Sequence, residues 1–120
     1  MSGARRAAEA RGRRAERRAI WLLRLKGYRI LAARLRTPAG EIDVLARRGR
    51  LVAVVEVKAR ASLAEALEAV SPRQQQRIAT AAEWAIAQDP RLDGCDIRFD
   101  VVAIVPGTWP RHLQNAWMQA

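Results

Sequence analysis

The 120 residues, half of them hydrophobic, suffice for one domain with a core of its own and exclude both a second domain and global disorder. Basic residues outnumber acidic ones 22 to 12, and the resulting net charge of +10 favours a polyanionic partner such as nucleic acid. Cys95 is the sole cysteine, which excludes an intrachain disulfide, and no apolar run approaches the roughly 20 residues of a membrane span. The basic N-terminus lacks the apolar core of a secretory signal, so cytoplasmic residence is expected.

In chain order, residues 4–26 predict one amphipathic helix preceded by a few mobile residues. Ala8, Ala15, Ala19, Leu22 and Leu23 fall on one stripe at 100° per residue, with Gly12 among them as a place for close packing. Arg13, Arg14, Arg17 and Arg24 fall on the far side and are the expected phosphate contacts. Glu16 borders the apolar stripe. Gly27 ends the helix, and Tyr28–Leu35 suits a strand followed by the turn-like Thr37-Pro38-Ala39-Gly40. Glu41–Ala46 and Leu51–Lys58 read as a hairpin closed through residues 47–50. The unbroken apolar run of residues 51–55 suits a central strand covered on both faces. Residues 62–70 allow either a short helix or a loop. Ser71-Pro72 caps a helix running to about Gln88, which presents Gln75, Ile78, Ala79, Ala82 and Ile86 along one face. Ile97–Val105 is a further strand, and the tail carries Trp109 and Trp117 as packing aromatics. These elements predict an α/β domain with a central mixed sheet flanked by helices.

The chemistry concentrates in the hairpin. Glu56 and Lys58 share a face of their strand because side chains alternate. If Ala46 opposes Leu51, Asp43 lies diagonal to Glu56; a slip by two brings the acids directly opposite, and a slip by one separates them. Two converging carboxylates repel unless a cation lies between them, and an oxygen-rich pair suits Mg²⁺ or Mn²⁺. Lys58 would orient or deprotonate a water there, a role closed to arginine. Lys26 and Lys58 are the only lysines, so a lysine at this position is informative. Blander readings stand beside each residue. Glu-x-Lys on a strand is commonly an exposed face, Glu16 can pair with Arg13, and Gln75 can be an ordinary first-turn polar residue. Asp100 is expected to pair with an arginine rather than a metal, and His112 is given no role.

Taken together, residues 12–16, Lys26-Gly27-Tyr28, Gly40-Glu41-Ile42-Asp43, Val55-Glu56-Val57-Lys58, residues 71–75 and Arg98-Phe99-Asp100 resemble the bacterial YraN family, in order and over almost the whole chain. That family is similar to the PD-(D/E)XK nucleases, near the Holliday-junction resolvases. The resemblance implies a restriction-endonuclease-like core, with Asp43, Glu56 and the Val57 carbonyl around a divalent metal and Lys58 beside the water. It also implies catalytic parts for Glu16 and Gln75, and a homodimer. Ala15 stands where a glycine commonly precedes the helix glutamate, and Ala59 where a threonine often follows the lysine. The function expected is a metal-dependent endonuclease acting on DNA, branched or recombination-derived. The alternatives are a nucleic-acid-binding adaptor that keeps the fold and cuts little, and a weaker membrane-surface reading.

Overall fold

The computed structural model describes residues 3–117. The elements are α1 (Gly3–Leu25), β1 (Arg29–Thr37), β2 (Gly40–Arg48), β3 (Leu51–Ala59), α2 (Leu63–Glu68), α3 (Pro72–Ala87), β4 (Asp96–Ile104) and β5 (Arg111–Leu113), with a 3-10 turn at Pro90–Leu92. The chain is helical from Gly3, and the remainder of the expected mobile N-terminus lies outside the described residues.

The five strands form one mixed sheet in the order β1-β2-β3-β4-β5. β3 and β4 run parallel while their neighbours pair antiparallel. A parallel pair needs a long crossover, and residues 60–95 supply it with α2 and α3. Central β3 is fully covered from Val52 to Glu56, as its apolar run requires.

One core cluster gathers Ile78, Ala82 and Ala85 of α3 over Ile42, Val52, Val54, Phe99 and Val101, with Trp117 stacked on Phe99. The other puts Ala15, Ala19 and Leu23 of α1 against Val44, Ala53, Val55 and Val102. Each helix covers one face of the sheet.

The structure corrects the expectations for Gly12 and for the tail, and decides between the two open to residues 62–70. Gly12 is exposed and a methyl group there would meet no described atom within 4 Å, because burial of α1 begins only at Ala15. Gly27 does end α1, with φ of 89° and Tyr28 N–H donating to the Leu23 carbonyl. Within residues 62–70 a short helix forms over Leu63–Glu68: Ser62 Oγ accepts the Glu65 amide and starts α2. Finally, β5 falls in the tail, and Trp109 is 74% exposed rather than packed in the core. No described helix is long and apolar enough to cross a membrane.

Candidate active site at the parting of two strands

β2 and β3 are joined by the two residues Gly49 and Arg50, with Gly49 at φ of 62° and Arg48 opposite Leu51. β2 therefore runs on through Arg47 and Arg48, two residues past the expected Ala46, while β3 starts at Leu51 as expected, and the register moves by two. The ladder runs up to Val44–Val55. The same register places Asp43 directly opposite Glu56. At that point the acids replace the backbone pairing: Asp43 Oδ2 accepts the Val57 amide at 2.8 Å, and Glu56 Oε2 accepts the Asp43 amide at 3.3 Å. Beyond it, β2 stays with β1 and β3 stays with β4, so the acids occupy a fork.

Glu56 is 2% exposed, behind Asp43. Burial, then the charge of Asp43, pushes the Glu56 carboxyl up to about 8, although Lys58 and the Asp43 amide pull the other way. Asp43 is also raised, first by burial and then by Glu16 and Glu41, against the Val57 amide and Lys58. Below about 8 the pair therefore keeps a proton, which added positive charge would displace. Among the described residues no third His, Cys, Asp or Glu joins them in a metal-binding group. A small hard cation commonly takes only one or two carboxylates and completes its shell with water and phosphate oxygens, so this donor set fits Mg²⁺ or Mn²⁺.

Asp43 opens into a cleft of about 460 Å³ also lined by Arg13, Glu16, Arg34, Glu41 and Val57. Glu16 thus reaches the same cleft, but its partner is Arg34: the guanidinium Nε lies 3.1 Å from each Glu16 oxygen. The i,i+3 pairing with Arg13 is not the one formed. Arg34 itself went unnoticed in the sequence. It sits across β1 from Asp43 at φ of 52°, a left-handed conformation that costs a non-glycine residue about 1–2 kcal/mol. Nothing in the local sequence marks that strain, which arises in a strand with a register shift between Ile30 and Ala32.

Gln75 is not drawn to this cleft. Its Nε2 donates to the Val70 carbonyl at 3.0 Å and ties off the turn between α2 and α3. The four arginines assigned to phosphate contact separate: Arg13 lines the acid cleft, Arg14 lines a neighbouring groove, and Arg17 and Arg24 are simply exposed.

A second polar cluster lies away from the fork. Asp100 is fully buried and takes two hydrogen bonds from Arg98, at 2.8 and 2.7 Å, fulfilling the expected arginine pair. His112, given no role from sequence, lies 2.8 Å from Asp100 through Nε2 and 2.6 Å from Lys26 Nζ through Nδ1. An ammonium only donates and a carboxylate only accepts, so these contacts select the neutral tautomer with its proton on Nε2. Burial opposes ionisation of Asp100, but Arg98, His112 and the Asn115 amide outweigh it and hold the carboxyl at about 2. Lys26 is lowered by burial and by Arg48 and Arg98. The residues come from four separate stretches of chain, so no spacing announces them.

A family comparison covers most of these elements. The model of the uncharacterised protein family UPF0102 matches residues 15–104, from the first buried turn of α1 to the end of β4. The chain belongs to the UPF0102 family. This is the YraN family that the sequence motifs resemble. It is 58% identical over 106 residues to a UPF0102 protein of Parvibaculum lavamentivorans, covering 88% of this chain and 80% of the relative. A UPF0102 protein of Maricaulis maris is 52% identical over 118 residues, covering 98% and 93%, and one of Erythrobacter litoralis is 54% identical over 110 residues, covering 92% and 94%. The matched segment of the family model contains Glu16, Arg34, Asp43, Glu56, Lys58 and Asp100, but not Trp109 or His112.

Proposed function

We propose that this UPF0102 protein is a metal-dependent endonuclease acting on DNA, with a restriction-endonuclease-like core. The observation that carries the reading is the meeting of Asp43, Glu56 and Lys58 at the fork between β2 and β3, where both carboxyl groups are held above their ordinary range. Asp43 and Glu56 would hold a divalent cation with the Val57 carbonyl. Bound there, the cation would acidify a water and stabilise charge on a scissile phosphate. Lys58 contributes positive charge to both acids and would orient the attacking water. Glu16 lines the same cleft and would serve as an accessory acid once a phosphate group competes for Arg34. The net charge of +10 supports a polyanionic substrate.

The deciding experiment incubates supercoiled, single-stranded, flapped and four-way-junction DNA with the protein in Mg²⁺ and then Mn²⁺. Cleavage of at least one substrate that disappears in Glu56→Gln is the expected result. Binding without metal-dependent cleavage on every substrate would replace the enzyme with the adaptor reading.

A further inference from the structure

A second groove, of about 870 Å³, runs between α1 and the ends of β3 and β4. Arg11, Arg14 and Arg18 line it from the helix and Arg60 from just beyond β3, while no acidic residue among the described ones lines it. Its floor is apolar. Val57 lines this groove and the acid cleft alike, so the two share a wall at the fork.

Both sides of the groove lead to the same pair of rings. Trp21 follows Arg18 by one helical turn, and Trp109 follows Pro106, another lining residue, by three positions. The indoles stack on each other with centroids 5.7 Å apart and planes 13° from parallel. Trp21 nevertheless remains 46% exposed and Trp109 74% exposed. Such a pair leaves an outer π-face open. Arginines along a groove answer a phosphate backbone, and an open indole face answers a base that has no stacking neighbour of its own. A duplex hides its base faces, so the combination selects an unpaired strand.

We infer that this groove and the Trp21–Trp109 platform form a binding site for single-stranded nucleic acid, which leads an unpaired arm to the fork and stacks one of its bases on Trp109. The inference rests on the proposed nuclease reading for what happens at the fork, but binding itself needs no metal and is measurable apart from cleavage.

The test is fluorescence anisotropy of a labelled oligo-dT and of a blunt duplex of equal length, with full-length protein in EDTA. The single strand should bind more tightly than the duplex and should quench tryptophan fluorescence. Trp109→Ala should weaken single-strand binding about tenfold while leaving duplex binding unchanged. Arg14→Ala and Arg60→Ala should each lower the log–log salt slope by about 0.7. Because Trp109 is exposed except where it stacks on Trp21, its variant should melt within a few degrees of wild type, which removes misfolding as an explanation. Equal affinity for single strand and duplex, an unaffected Trp109→Ala, or equal displacement of oligo-dT by polyglutamate would overturn the inference. A protein that passes these tests and cuts nothing would sink the endonuclease reading alone.

Discussion

Glu56 lies against the backbone of Asp43, its Oε2 3.3 Å from that residue's amide nitrogen, at the point where β2 and β3 part. Each acid thereby satisfies a backbone N–H across the fork, Glu56 that of Asp43 and Asp43 that of Val57. The two carboxylates are structural members of the fork as well as candidate ligands, and that double role shapes what their variants should do.

The metal-free protein should lose stability as the pH rises. The folded Glu56 keeps its proton up to about 8, whereas the unfolded chain releases it near 4.5. Its contribution is therefore fully present below about 4.5 and lost as pH climbs through about 8. Thermal melts in EDTA should show Tm falling across this window in wild type and a flatter profile in Glu56→Gln. Each kcal/mol recovered is worth about 4 °C. Parallel profiles for the two proteins would show that burial does not hold this proton.

Mg²⁺ or Mn²⁺ should bind weakly to the free protein and better with an oligonucleotide present, because phosphate oxygens complete the shell. Calorimetric titration of Asp43→Asn and Glu56→Gln should show that binding gone while circular dichroism retains the fold. Metal affinity unchanged in both would place the site elsewhere.

Lys58→Arg separates charge from chemistry. The guanidinium keeps the positive charge but is planar, longer and never a base at accessible pH. Nucleic-acid affinity should survive, and any cleavage rate should fall on the order of 10²- to 10⁴-fold. Equal cleavage by wild type and Lys58→Arg would remove Lys58 from the mechanism.

Arg34 offers a test of strain. Arg34→Ala and Arg34→Gly both deprive Glu16 of its partner, but only alanine keeps a Cβ at φ of 52°. Glycine should be the more stable variant by about 1 kcal/mol, the reverse of the usual order inside a strand. Urea unfolding of the two proteins measures the difference, and alanine proving the more stable would show that the backbone relaxes there freely.

Away from the fork, Asp100→Asn should destabilise the fold by about 3 kcal/mol, since it leaves Arg98 without its buried counter-charge. The sign of the acid dependence follows from the depressed carboxyl: its contribution is present above about 4 and lost as pH falls through about 2. Acid titration followed by near-ultraviolet circular dichroism should show wild type unfolding in that range. Asp100→Asn matching wild type in stability would mean the network is held by its neutral hydrogen bonds alone.

Much of this architecture was legible from residue patterns because it depends on local chemistry. An unbroken apolar run marked β3 as a covered strand, and alternation put Glu56 and Lys58 on one face; Ser71-Pro72 marked the start of α3; Gly27 marked the end of α1. The family motifs pointed to Asp43 and Glu56 as partners. What pattern alone left open was the hairpin register, since alternation survives a slip of two residues unchanged. The turn decided it, by closing on Gly49 and Arg50 alone and setting Asp43 opposite Glu56. Arg34, His112 and Lys26 were beyond sequence reasoning for a related reason. Arg34 meets Glu16 from 18 positions away and Lys26 meets His112 from 86. A lone arginine, lysine or histidine carries no sign of a partner that distant. The sequence by itself determined which strands and helices form and which acids are suited to a cation. Only the tertiary structure decided which side chains share a cleft, because that depends on how far β2 extends and where α1 crosses the sheet.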